Sequence, residues 1–424
     1  MSAALLDRLL SGRLANPDGA GMLQVPVRSV VIARGLAAAA CDLIAPLGLG
    51  GRLAAVMDPD TRAVMGEAVA DALRRDYRVE VICFGDSPHP DMEAVSFVRE
   101  HARGADGIVA VGSGSLNDIA KHAAYLNDIP YAVFGTAPSM NGYASSSAAI
   151  TEDGLKKSLA SAAPRGIFLD LEVMAAAPAR LIAAGVGDSL CRATAQTDWL
   201  MSHLLLGTKY RQAPFMLTAD DEEELLGRIG SIAARDVKAV ELLARMLVMS
   251  GFGMTICGGS YPASQGEHLI AHYIDMLGRN LPRAFHGEHV AVATMTMAAL
   301  QDRILERESL TLSPSAETER DFIAHFGEDL GRSCWRAWLP KRIDAAAADA
   351  LNRKLAADWP LMRARLRTVG RSQAALGQAY AAAGAPLVNG QIGVPDDFYR
   401  EAVANARRIR DRFTFLDLAA AAGQ

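Results

Sequence analysis

The sequence predicts an α/β domain built on a parallel sheet over residues 1–172, followed by an all-α domain over residues 173–424. Two observations carry that prediction. Short, β-rich apolar runs alternate with helix-like stretches through the first part of the chain, the pattern of βαβ units. From about Met174 the composition shifts to Ala, Leu, Arg and Glu, and one amphipathic pattern follows another.

The strand-like runs are Val27–Ala33, Leu53–Met57, Val79–Phe84, Gly107–Val111 and Tyr131–Phe134, with Ile167–Leu171 as one more. Helical stretches such as Thr61–Arg75, Asp91–Arg103 and Leu116–Leu126 separate them. In the second part the helical patterns cover Asp221–Met249, Gln265–Leu277, Glu288–Leu305, Ala345–Thr368 and Phe398–Arg412. Gly- or Pro-rich breaks are expected at Gly251–Gly266, Leu281–Gly287 and Ala383–Pro395. No internal repeat is visible.

The chain has 424 residues, enough for two cores, and half of them are hydrophobic. Lys+Arg 43 against Asp+Glu 48 gives a net charge of −5, so no basic balance points to nucleic acid. No apolar run is read as long enough to span a bilayer, and the opening MSAALLDRLLSGRL lacks a signal-peptide core. The five cysteines include no CxxC pair, which argues against a disulfide framework or a cysteine metal site. These features together predict a cytoplasmic protein.

Three segments carry chemistry. The Gly107–Val111 run ends in Gly112-Ser113-Gly114-Ser115 and is followed by Leu116-Asn117-Asp118-Ile119-Ala120-Lys121. Glycines at a strand-to-helix turn let backbone N–H groups approach a pyrophosphate, whereas the plainer reading is a tight turn capped by a serine. The segment is not GxGxxG, so the standard dinucleotide fingerprint is missing. Asp58, at the end of the second strand, is placed to accept from ribose or adenine; as a helix N-cap, Asp60 is the better candidate. After the next strand comes Thr136-Ala137-Pro138-Ser139-Met140-Asn141-Gly142-Tyr143-Ala144-Ser145, rich in donors and poor in bulk, as suits a ligand crevice.

Four of the nine histidines, His268, His272, His286 and His289, fall within 22 positions. His268 and His272 share a helix face. Asp188, in Gly185-Val186-Gly187-Asp188, is a candidate acidic partner. One carboxylate and two imidazoles leave a coordination position open, the pattern of a catalytic metal site. HExxH is absent, which argues against a metalloprotease.

In combination, Gly112-Ser-Gly-Ser-x-x-Asp118-x-x-Lys121, Thr136-Ala-Pro-Ser-Met-x-Gly142, Gly187-Asp188, Ser264-x-Gly-Glu-His268-x-x-x-His272 and His286-Gly287 resemble the sn-glycerol-1-phosphate dehydrogenase family. That family belongs to the iron-containing alcohol dehydrogenase and dehydroquinate synthase superfamily. The ending Arg410-Asp-Arg-Phe-Thr-Phe-Leu-Asp-Leu418 looks like that of its bacterial branch. The resemblance implies a dehydroquinate synthase-like fold, an NAD(P)-binding α/β domain and a helical metal- and substrate-binding domain.

It also implies Asp188, His268 and His286 as ligands of a divalent metal (Zn, Ni or Fe), with His272 near the substrate. Asp58, Gly112, Gly114, Ser115, Leu116, Asn117, Asp118, Thr136, Ala137, Pro138, Ser139 and Ser145 would contact NAD or NADP. The implied reaction is the interconversion of dihydroxyacetone phosphate and sn-glycerol 1-phosphate, a step of phospholipid metabolism. A homodimer or higher homo-oligomer is the expected assembly.

One position departs from the family pattern. Asn141 stands where the family usually has Asp, facing the substrate's hydroxyl groups. Asparagine keeps the size, loses the charge and gains a donor. This keeps open a dehydrogenase for another polyol or sugar-type ketone. A sugar-phosphate cyclase of the dehydroquinate synthase kind and a non-catalytic binding protein are the further alternatives.

Overall fold

The computed structural model describes residues 2–152 and 155–423. Six parallel strands form one sheet in the order β1-β8-β5-β4-β2-β3. They are β1 (Ser29–Ala33), β2 (Arg52–Met57), β3 (Arg78–Cys83), β4 (Gly107–Val111), β5 (Tyr131–Gly135) and β8 (Gly166–Asp170). All six lie where the apolar runs predict. The central strands β4, β5 and β8 are buried along their whole length, which is why they read as unbroken apolar runs without alternation.

The period of two decides which core each side chain enters. Ala54, Val56, Ile108, Ala110, Val133, Ile167 and Leu169 face one apolar cluster. Their neighbours Leu53, Ala55, Met57, Val109, Val111, Ala132, Phe134 and Phe168 face another.

An antiparallel hairpin of β6 (Ser147–Glu152) and β7 (Leu155–Ala160) was not foreseen. Its strands mix Ser, Ala, Lys and Thr, so neither a buried run nor a clean alternation marks them.

The chain forms two compact units, but they do not divide at residue 172. One comprises Met1–Ser189, Gln212–Ser260 and Ala382–Gly384; the other comprises Leu190–Arg211, Tyr261–Ala381 and Ala385–Gln424. The sheet unit reclaims the later segment because the Val237–Cys257 helix places Val240, Ala244, Val248, Met249 and Phe252 in the same cluster as Ala54, Val56 and Ile167. The second unit is helical, around a core that includes Tyr273, Met297, Phe322, Trp338, Trp359 and Phe415.

The pattern over Asp221–Met249 resolves into three helices: Ala219–Gly227, Gly230–Ala233 and Val237–Cys257. The last runs on through Gly251, where a break was expected. A Cβ at Gly251 would lie 2.7 Å from the Asn141 carbonyl oxygen, so this glycine serves close packing rather than a turn. Val237–Cys257 is also, by length and composition, able to cross a membrane, with mean hydropathy 1.5. That corrects the reading that no run is long enough. Here 72% of the apolar window is buried inside the protein. Arg245, in mid-helix, makes a bidentate pair with buried Asp221 at 2.7 and 2.8 Å, as a core helix requires of an internal charge.

Candidate functional site

In the sheet unit, the order of strands reverses at β2. β3 follows it on one side and β4 lies on the other. Crevices at such a reversal, beyond the carboxyl ends of the strands, are where open α/β sheets bind ligands. Asp58 follows β2, Gly112 follows β4 and Thr136 follows β5, so three predicted cofactor segments emerge from adjacent strands.

The Gly114–Leu126 helix begins at the β4 turn. Its N-cap, Ser113, makes no side-chain cap hydrogen bond, so the plain serine-cap reading fails. Gly114 has φ +35, in the left-handed region that favours glycine. Gly114, Ser115 and Leu116 thus form the first turn, where backbone donors and the helix dipole favour an anion. Asp58, rather than Asp60, is the N-cap of the helical stretch starting at Pro59. Its Oδ1 accepts the Thr61 N–H at 2.8 Å.

The loop after β5 is buried from Thr136 to Ser139. The Tyr143 hydroxyl donates to the Ala137 carbonyl at 2.8 Å, fixing its course. The Ala179–Leu190 helix packs against it at Gly185, where a Cβ would fall 1.7 Å from the Pro138 carbonyl oxygen. Only glycine fits there. One helical turn later, buried Asp188 accepts the Asn141 N–H on Oδ2 at 2.7 Å. Asn141 is itself buried, and among the described residues its Nδ2 has no hydrogen-bond partner.

Two predicted cofactor residues are engaged by the protein itself. Asp118 Oδ2 accepts the Ala149 N–H of β6 at 3.0 Å. Ser145 donates to the Gly142 and Ser147 carbonyls at 3.0 and 2.9 Å. The fully buried Lys121 reinforces the same loop, with Nζ donating to Gly142 O at 2.6 Å, Ser147 O at 3.0 Å and Ser145 Oγ at 3.2 Å. Burial pushes the Lys121 ammonium down, opposed by the Asp118 carboxylate 3.6 Å away.

In the helical unit, His268 and His272 lie on the Gly266–Leu277 helix, and His286 opens the His286–Leu305 helix. Their rings form a triangle with centroid separations of 5.2 Å (268–286), 5.7 Å (272–286) and 5.8 Å (268–272). His289 Nδ1 lies 2.9 Å from Asp275 Oδ1.

Acids stand behind two of these imidazoles. Glu267, fully buried, takes His268 Nδ1 at 2.9 Å and the Gln265 N–H at 2.8 Å on Oε1, and the Thr194 hydroxyl at 3.2 Å on Oε2. An acceptor on Nδ1 places the proton there and turns the Nε2 lone pair outward, as in carboxylate–histidine–metal arrangements. Asp275 Oδ2 stands 4.0 Å from His286 Nδ1. Cys191, Glu267 and His268 also lie close enough to offer three donors. With both oxygens of Glu267 already accepting hydrogen bonds, that group reads as the support of His268 rather than a second ion site.

Residues 31–178 match the model of the iron-containing alcohol dehydrogenase family. The glycerol-1-phosphate dehydrogenase of Thermococcus kodakarensis is 31% identical over 293 residues, covering 69% of this chain and 82% of that protein. The chain belongs to the glycerol-1-phosphate dehydrogenase family. The family enzyme of Methanothrix thermoacetophila is 32% identical over 69% of this chain and 82% of its own length. That of Bacillus subtilis is 26% identical over 94% and 92%.

The fold is that of iron-type dehydrogenases. Maleylacetate reductase from Agrobacterium tumefaciens superposes with a TM-score of 0.61 at 19% identity, covering 94% of this chain and 97% of its own. Glycerol dehydrogenase from Schizosaccharomyces pombe gives 0.55 at 18% identity over 92% and 95%. As a member of the glycerol-1-phosphate dehydrogenase family, the protein is an oxidoreductase. Sequence reasoning singled out the three clustered imidazoles but not the acids behind two of them. An acid directly preceding His268 was the available signal for Glu267; nothing local marks Asp275.

Proposed function

We propose that the protein is a metal-dependent dehydrogenase that reduces dihydroxyacetone phosphate to sn-glycerol 1-phosphate with NADH or NADPH. The observation that carries this reading is the imidazole triangle with Glu267 fixed on His268 Nδ1. That donor set, a tautomer-locked imidazole with a second one beside it, fits a borderline divalent cation such as zinc, nickel or ferrous iron. His268 and His286 would hold it, with Asp188 as the carboxylate ligand. When bound, it would supply Lewis acidity toward the substrate carbonyl.

The remaining work falls to the chain. In this reaction class a hydride reaches the ketone carbon and a proton reaches its oxygen. Backbone donors of the first turn after Gly112 would hold the pyrophosphate, and the Asp58 carboxylate would accept from a ribose hydroxyl. His272, third member of the triangle, would hold or deliver the proton at the substrate oxygen. The Asp188–Asn141 hydrogen bond fixes the loop that presents the Asn141 amide.

The test is NAD(P)H loss with a panel of ketones, with and without phosphate, using metal-loaded and chelated enzyme. Fast, metal-dependent turnover of dihydroxyacetone phosphate supports the reading, and its absence rejects it. A second reading, a dehydrogenase for a non-phosphorylated polyol, is favoured by Asn141 Nδ2, a buried donor without a partner. A small-molecule enzyme of the cytoplasm, assembled as a homodimer, completes the proposal; light scattering on the purified protein tests the dimer.

A further inference from the structure

The segment Arg410-Asp411-Arg412 runs in extended backbone ahead of the Phe415–Ala421 helix, with Arg410 at φ −150 and ψ 168. Alternate residues of extended chain leave on opposite sides. Asp411 is accordingly exposed, while Arg412 is buried and Arg410 half-buried. Two guanidiniums turn inward and the acid between them turns out.

This segment is clamped to the turn that leads into His268. Arg412 Nη1 donates to the Ser264 carbonyl, and its guanidinium carbon lies 4.9 Å from the centre of the Tyr261 ring. Asp198 ties the same two stretches together, accepting the Phe415 N–H on Oδ1 and the Gly266 N–H on Oδ2, each at 2.9 Å. Buried Lys341 closes the back, with Nζ donating to the Arg412 carbonyl at 2.6 Å and to Asp417 Oδ2 at 3.0 Å. Arg412 is therefore held against the Tyr261–Gly266 turn by fixed contacts, and Arg410 lies two residues before it on the same extended stretch.

Like charges held together in a desolvated place repel. Burial and the charge of Arg410 press the Arg412 guanidinium down to about 10. Among the described residues Arg410 makes no hydrogen bond or ion pair. An anion between such groups relieves the repulsion, and a phosphate matches the planar donor forks.

We propose that Arg410 and Arg412 form the subsite for the phosphate of a phosphorylated ketone. The identity of that ketone rests on the function proposed above; the anion site does not. Both arginines belong to the helical unit that carries His268, so the subsite and the imidazoles share one rigid support.

The test uses the metal-loaded full-length enzyme with Arg410→Gln and, as a charge-retaining control, Arg410→Lys. Arg410→Gln is expected to raise KM for dihydroxyacetone phosphate by about 10- to 100-fold, the loss of one charged, bidentate contact. kcat, KM for NAD(P)H and KM for dihydroxyacetone should stay unchanged. Arg410→Lys should give a smaller rise, because charge survives and the fork does not. An unchanged KM for the phosphorylated ketone, or an equal loss on both ketones, overturns the proposal.

Stabilisation by inorganic phosphate, read as a shift in Tm, separates the two readings. If the wild-type enzyme reduces no phosphorylated ketone, the proposed substrate falls. Phosphate stabilisation that disappears in Arg410→Gln then still supports the anion subsite. Stabilisation that is absent, or equal in both proteins, rejects it.

Discussion

At the carboxyl ends of β2, β4 and β5 the groups offered to a ligand are mostly backbone, presented by glycines and by the first turn of the Gly114–Leu126 helix. In the helical unit they are side chains, three imidazoles, one of them held on Nδ1 by the fully buried Glu267. The two regions fail differently. Backbone donors survive most substitutions but not a displaced turn. Imidazoles survive small shifts of the chain but not the loss of the carboxylate that sets their tautomer.

Substitutions can break or sharpen that contrast. The largest effect is expected for His268→Ala, which should lower kcat/KM on the order of 10³-fold and abolish stoichiometric metal by elemental analysis. NAD(P)H affinity, followed by its fluorescence, should be retained; joint loss of both would erase the distinction between the regions. Glu267→Gln keeps the shape but weakens the acceptor on His268 Nδ1. A fall in metal affinity of about 10- to 100-fold is expected from competition with a chelator. No change would mean that Glu267 serves only packing.

On the nucleotide side, Gly185→Ala drives a methyl into the Pro138 carbonyl. Overpacking of this kind costs about 1–3 kcal/mol. The expected outcome is a lower Tm together with a higher KM for NAD(P)H, because the displaced carbonyl belongs to the Thr136–Ser139 loop. A lower Tm with cofactor KM intact would detach that loop from the cofactor. The smallest effect is expected for Asn141→Asp, a shift of about tenfold or less in preference toward dihydroxyacetone phosphate over dihydroxyacetone. An unaltered ratio of kcat/KM values would remove position 141 from specificity.

The same contrast explains what the sequence discloses. Parallel strands buried on both faces leave apolar runs, so β1–β5 and β8 are legible within a residue or two. The histidines are legible because rare residues cluster at helical spacing. The hairpin of β6 and β7 is not, because its strands carry no apolar pattern and are anchored by Lys121 on Ser147 and Asp118 on Ala149, 26 and 31 residues away in sequence. Composition favours Asp60 as the N-cap, but the capping box with Thr61 gives that role to Asp58. The compact units depart from a division at residue 172 for a related reason. Composition reports helix, and a helix such as Val237–Cys257 can belong to the sheet's core. Arg410 and Arg412 became meaningful only once the chain folded back onto the Tyr261–Gly266 turn.

The Arg245–Asp221 pair has a consequence for how the protein is made. Asp221 precedes Arg245 by 24 residues, so during synthesis the acid leaves the ribosome before the base it will neutralise. A 21-residue segment hydrophobic enough to be mistaken for a membrane anchor therefore emerges with a countercharge already waiting. Its midpoint arginine marks it as cargo for a folding core and penalises its entry into lipid.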